Sequence, residues 1–281
     1  MPYAQVNGLD LFYYDDDFTN PWEPAEVILI NHYGSGDSTL YNKWAGALAG
    51  KYRVIRWDRP GYGRSQVPGY DYTLTTQSFI EDIAGFMDAL GLEKIHYIGD
   101  KASTAAGLAF AAAYPERVLS LTLAICVLSA QPIRQLFIDA ADGVIAKGSW
   151  INAFESKADS RDLPSKTNAL ADLYYKETQA RIPAHVQAAA FRCVADPSFD
   201  VRSVLKDIQA PTLLLSPDVY VEGPSLTSRA EQEMISQTIP LCEQRILPGS
   251  TPHFPFTDGE WCAQQVLAFL EGLPAMRERA A

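Results

Sequence analysis

The chain has 281 residues, 47% hydrophobic and 20% charged, a balance that excludes a disordered, collagen-like or coiled-coil polypeptide and suffices for one α/β core with an insertion. Twenty-three basic against 34 acidic residues leave a net charge of −11. Such a surface repels phosphate backbones and anionic lipid, so no nucleic-acid and no membrane partner is expected. Cys126, Cys193, Cys242 and Cys262 lie far apart without a C-x-x-C pair, and a reduced, cytoplasmic setting is the expectation. The start, from Met1 to Gly8, has no basic and apolar run, and no stretch approaches the roughly 20 apolar residues of a bilayer span, so neither a signal peptide nor a membrane segment is expected.

Short apolar runs alternate with helix-period segments, the pattern of a mostly parallel sheet with crossover helices. The predicted strands are Val27–Asn31, Arg53–Trp57, Ile95–Ile98, Leu119–Ile125, Thr212–Ser216 and Gln244–Leu247. Ile80, Ile83, Met87 and Leu90 share one helical face, and Gly91 ends that helix. From about Gln131 to Lys206 the strand-like runs vanish, and helix formers broken by Pro132, Pro164, Pro183 and Pro197 take over. This stretch, 131–206, reads as a helical cap inserted between the core segments 1–130 and 207–281. A last helix is predicted from Thr257, with Glu260 closing a capping box, Val266, Phe269 and Leu270 facing inward, and an end at Gly272.

Ile95 to Ser103 is a strand entering a sharp turn, and Thr104–Tyr114 is a helix of small residues. In a strand–turn–helix elbow the central residue is forced out over the sheet, and the residues two before and two after must be small. Gly99 and Ser103 meet that demand around Lys101. With Asn31-His32-Tyr33-Gly34, Asp58-Arg59-Pro60-Gly61-Tyr62-Gly63-Arg64-Ser65, Tyr114-Pro115-Glu116-Arg117-Val118 and Leu247-Pro248-Gly249-Ser250-Thr251-Pro252-His253-Phe254, the chain resembles the α/β-hydrolase superfamily, in particular its small capped esterases, lactonases and carbon–carbon hydrolases. The resemblance implies a mostly parallel sheet flanked by helices, with the inserted cap roofing the site.

The resemblance places a Ser, Cys or Asp nucleophile where this sequence has Lys101. A lysine attacking an ester forms an amide that water cleaves too slowly for turnover. Other amine chemistry remains: a neutral Lys101 adding to a carbonyl as a Schiff base or acting as a base, or an ammonium stabilising an oxyanion or enolate. Shifting the register to Asp100 puts Ile98 where a small residue is required, and shifting it to Ser103 puts Lys101 there. The competing reading is that Lys101 replaced a serine and left an inactive ligand-binding protein or an inactivated serine hydrolase.

The resemblance implies that His253 returns to the elbow as the base or acid. The position of the orienting acid falls on Tyr220, which leaves Asp218 and Glu222, on either side, as candidates or as solvated loop carboxylates. It further implies an oxyanion hole from backbone N–H groups at Ala102 and near His32 or Tyr33. His96 reads as a strand core residue, and His185 as cap surface or lining. Trp150 and Phe154, at i and i+4, are the expected pocket-lining pair. Metal and nucleotide motifs are absent from the sequence, and no cofactor is implied. The expected partner is a small-molecule substrate, with a homodimer left open. The resulting expectation is an enzyme acting on a small carbonyl compound, cleaving or forming a bond next to the carbonyl as a lyase or a hydrolase.

Overall fold

The computed structural model describes residues 2–32, 34, 36–149, 169–220 and 225–280. Eight strands form one sheet in the order β1-β2-β4-β3-β5-β6-β7-β8. They are β1 Tyr3–Val6, β2 Leu9–Asp16, β3 Val27–Asn31, β4 Arg53–Trp57, β5 Ile95–Asp100, β6 Val118–Ala124, β7 Thr212–Pro217 and β8 Cys242–Leu247. From β4 to β8 every neighbouring pair is parallel, while β1, β2 and β4 pair antiparallel. The parallel strands carry apolar residues on both faces: Leu29 and Tyr97 point into one core, and Ile28, Ile30 and Ile98 into the other. That is what a sheet covered by helices on both sides requires.

The first core is closed by α2 Thr76–Ala89 and α3 Ala102–Ala113. Thr75 caps α2 by accepting from the Ser78 N–H at 3.0 Å, and the Ser78 hydroxyl accepts from the Thr75 N–H at 2.9 Å. Ile80, Ile83 and Met87 of α2 are buried as the periodicity predicts, each contributing roughly 1.5–3 kcal/mol. Gly91, at φ 64°, takes the left-handed conformation that follows the helix. The second core lies under α1 Asn42–Leu48 and the terminal helix. Within it, the Trp44 indole N–H donates to the Pro255 carbonyl at 2.7 Å.

One sequence expectation is corrected here, and one element is added. The terminal helix runs Gly259–Ala280, past Gly272, because Leu273 is still buried against the second core. The antiparallel hairpin β1–β2 was not predicted. Its signal was the Asn7-Gly8 turn, with φ 50° and 83°. The Asn7 amide also donates to Asp82 of α2 at 2.7 Å, which ties the hairpin to the core.

Between β6 and β7 the described elements are all helical: α4 Arg134–Lys147, α5 Ala169–Ala180, α6 Ala184–Ala195 and three 3-10 turns. α4 packs on α6 through Ala140, Ala141, Val144, Ala188 and Phe191. The Tyr174 hydroxyl donates to Thr39 at 2.5 Å, the Gln187 amide to the Gly34 carbonyl at 3.1 Å, and the His185 Nε2 lies 3.0 Å from the Pro68 carbonyl. The tail of this insertion packs differently, since Phe199, Val201 and Leu205 join the core cluster beside α3, and the Val201 N–H donates to the Leu128 carbonyl at 3.0 Å. No helix among the described residues is long and apolar enough to cross a membrane.

The contact between β5 and α3 is the tightest constraint in the core. A Cβ on Gly107 would stand 2.2 Å from the Tyr97 ring, whereas one on Gly46, exposed in α1, would meet nothing within 4 Å. Gly107→Ala should therefore lower unfolding stability by about 1–3 kcal/mol or more, while Gly46→Ala should raise it by about 0.5–1 kcal/mol. Urea denaturation of the two variants should show these opposite signs.

Candidate active site

The loops after β3, β4, β5, β6, β7 and β8 all leave the sheet at its carboxyl edge, where open α/β sheets bind ligands. Lys101 lies between β5 and α3 at φ 52°, ψ −122°, a conformation strained for a side chain of this size. Several contacts hold it there. The Lys101 N–H donates to the Ala124 carbonyl at 3.0 Å, and its carbonyl accepts from the Thr104 N–H at 2.9 Å. Ser103 acts as a staple: its Oγ accepts from the Asp100 N–H at 2.7 Å and lies 2.8 Å from the Asn31 carbonyl. A Cβ on Gly99 would come within 2.9 Å of the Ser103 carbonyl oxygen. Ser103 is buried inside α3 and Asp100 points inward, so Lys101 is the partly exposed residue at the turn.

Asp100 is buried and accepts from the Tyr41 hydroxyl at 3.0 Å, while its other oxygen, Oδ1, has no hydrogen-bond partner. Burial raises its pKa to about 6, opposed by the neighbouring Lys101 charge and the Tyr41 hydrogen bond.

His253 precedes the short helix α7 Phe254–Thr257, beyond β8. It is buried, and the Tyr175 ring of α5 stands edge-on to it with centroids 6.3 Å apart. Burial, reinforced by the positive charge of Lys101, pushes its pKa down to about 2. Lys101 and His253 are thus electrostatically coupled, and the imidazole is neutral throughout the physiological range.

Asp218 does not orient that ring. Its carboxylate accepts from the Gly249 N–H at 2.9 Å and faces Arg229 at 3.5 Å, so it ties the loops after β7 and β8 together at the surface. Tyr220, at the position expected for an acid, stacks under the Arg229 guanidinium at 5.4 Å. Glu222, Tyr33, Trp150 and Phe154 lie outside the described residues.

His32 is fully buried, and its Nε2 accepts from the Arg59 N–H at 3.1 Å, so the neutral ring carries its proton on Nδ1. Its ring also packs on Tyr62, with centroids 5.0 Å apart. Nε2 is therefore committed to binding the loops after β3 and β4 to each other. Asp58 adds to that link, accepting from the Ser38 and Arg64 N–H groups at 2.9 Å each. Ala102 is the first residue of α3, where N–H groups have no intrahelical partner, so it retains a geometry suited to an oxyanion donor. Tyr41 was not anticipated from the sequence: it sits in no motif, and only the folded arrangement brings it to Asp100.

An α/β sheet with a strained elbow, a histidine returning after the last strand and a helical insertion defines a hydrolase-like architecture. The profile of the alpha/beta hydrolase fold family matches residues 26–259, and the chain belongs to that family. A protein of Azorhizobium caulinodans named as carbamate hydrolase RutD is 29% identical over 218 residues, covering 76% of this chain and 78% of its own. The 3-oxoadipate enol-lactonase 1 of Acinetobacter baylyi is 26% identical over 200 residues, covering 69% and 71%. A solved hydrolase of Pseudomonas aeruginosa PA01 superimposes with a TM-score of 0.82 at 20% identity over 95% of this chain and 97% of its own, which shows the shared fold.

Two measurements check the electrostatics. An acid whose folded pKa is raised holds its proton more tightly in the native state, so stability falls as pH rises from the unfolded value near 4 to about 6. Asp100→Asn should therefore match the parent near pH 4 and exceed it by about 1–3 kcal/mol above pH 7 in urea titrations. In imidazole NMR, His253 should stay neutral between pH 8 and pH 5. Lys101→Met should raise its pKa only part of the way, because burial is the larger cause.

Proposed function

We propose that the protein is an enzyme that uses water to cleave a bond next to the carbonyl group of a small organic molecule, with Lys101 and His253 in place of a serine mechanism. The observation that carries this reading is the pairing at the elbow: a cationic side chain on the strained turn and, under its field, a buried neutral imidazole with no carboxylate bonded to it among the described residues. A serine-type relay needs a carboxylate to stabilise the imidazolium. An electrostatic site needs a fixed cation where an oxyanion develops, and Lys101 supplies one beside the N-terminal N–H groups of α3.

In this reading water attacks the carbonyl carbon and passes a proton to His253 while the carbonyl oxygen becomes an oxyanion facing Lys101 and the Ala102 N–H. The negative charge offsets the Lys101 field, the smaller of the two causes that depress His253, so part of the imidazole's basicity returns at the step that uses it. The oxyanion then collapses, the bond to the neighbouring carbon, oxygen or nitrogen breaks, and His253 delivers its proton to the departing atom. One water is consumed, and a carboxylic acid and a protonated leaving group result. The hydrolase names of the relatives support hydrolysis over the lyase alternative.

The test is a panel of small ketones, esters and lactones with the parent and three variants. Lys101→Met should lower kcat/KM about 100-fold or more, and Lys101→Arg should keep part of it, since charge is what is used. A borohydride-trapped mass adduct at Lys101 would replace this mechanism with an imine. If the parent turns over no member of the panel and Lys101→Ser gains esterase activity, the site is an inactivated serine hydrolase and the proposal falls.

A further inference from the structure

Arg59 is the second residue of the Asp58-Arg59-Pro60-Gly61 turn after β4. The residue is 4% exposed, and its guanidinium lies over the Tyr62 ring at 4.6 Å and the Phe79 ring at 4.7 Å. The Tyr62 side chain also interacts with the guanidinium by hydrogen bonding. Both Nε and Nη2 lack a hydrogen-bond partner. These two nitrogens form one edge, the same edge with which Arg53 grips both carboxylate oxygens of Asp15, at 2.8 and 2.7 Å. Among the described residues no carboxylate stands at ion-pair distance from Arg59. Asp82, which feels its charge, is bonded to Asn7 instead.

The guanidinium borders a small recess of about 30 Å³, whose walls include Gly34, Phe79, Ala102, Ala106 and Cys193. A Cβ built on Gly34 would stand 3.9 Å from Nη2, so that nitrogen faces the loop after β3. Ala102 immediately follows Lys101, and the same recess therefore joins Arg59 to the elbow. Apart from Arg59 and Thr76 its lining is apolar. A buried cation with two unused donors in such a setting is unfavourable until an anion completes it.

We infer that Arg59 is a carboxylate-binding subsite for an oxo-carboxylate substrate, gripping the two coplanar carboxylate oxygens through Nε and Nη2 while a short apolar spacer runs along the recess toward Ala102. Two coplanar donors match a carboxylate, whereas a phosphate would leave charged oxygens against apolar walls. The placement of the oxo group at Lys101 rests on the function proposed above. The carboxylate grip does not.

The test is isothermal titration calorimetry with 4-oxopentanoate and its methyl ester. The unaltered protein should bind the acid at least about tenfold more tightly than the ester, because a charge-assisted fork is lost in the ester. Arg59→Met should abolish that preference, and Arg59→Lys should keep part of it. Equal binding of acid and ester by the unaltered protein, which requires no variant to fold, would overturn the inference, as would a preference that survives Arg59→Met. Binding through Arg59 with no turnover of any oxo acid would leave the subsite standing and count against the role given to Lys101. Turnover without acid preference would do the reverse.

Discussion

Lys101 keeps its left-handed backbone only because its neighbours leave no easier arrangement. Tyr97 fills the space that side chains at Gly99 and Gly107 would take, and the Tyr97 hydroxyl both accepts from Asn31 at 2.9 Å and donates to the Ser103 carbonyl at 2.7 Å. The strain at one residue is thus distributed into a packed aromatic ring, a buried amide and the first turn of α3. Stored in this way, it projects a long side chain over the sheet edge without a flexible loop.

The electrostatic character of the site opposes that of the surface. The chain carries a net charge of −11, yet Lys101 and Arg59 sit at its cleft, and the nearby acids are turned elsewhere: Asp100 to Tyr41, Asp58 to backbone N–H groups, Asp218 to Gly249. Burial of His253 beside a cation keeps it neutral. Such an interior favours ligands that bring their own negative charge or develop one during reaction.

The parallel strands were legible in the sequence because residues buried on both faces leave continuous apolar runs, and β3 and β4 begin and end where predicted. The elbow was legible because sterics dictate small residues at fixed spacing around it. The orienting acid was not, since loop spacing cannot report that Asp218 finds Gly249 and Arg229 first. Nor could it show that His32 spends its Nε2 on a main-chain N–H, because that bond joins loops 27 residues apart. Arg59 stood in a quoted motif with no role attached. Only its orphaned N–H groups, visible once neighbours are in place, mark it out.

The insertion is fastened to the body of the protein in an asymmetric manner. At two of its polar anchor points, Gln187 on Gly34 and His185 on Pro68, the body contributes main-chain carbonyl oxygens. Any residue at 34 or 68 would offer the same acceptor, so at these two points the fit rests on the insertion's side chains, whereas the Thr39 hydroxyl and the Tyr62 ring are contributions from the body. These two fastenings therefore tolerate a change of side chain at 34 and 68, and are lost by a change at 187 or 185.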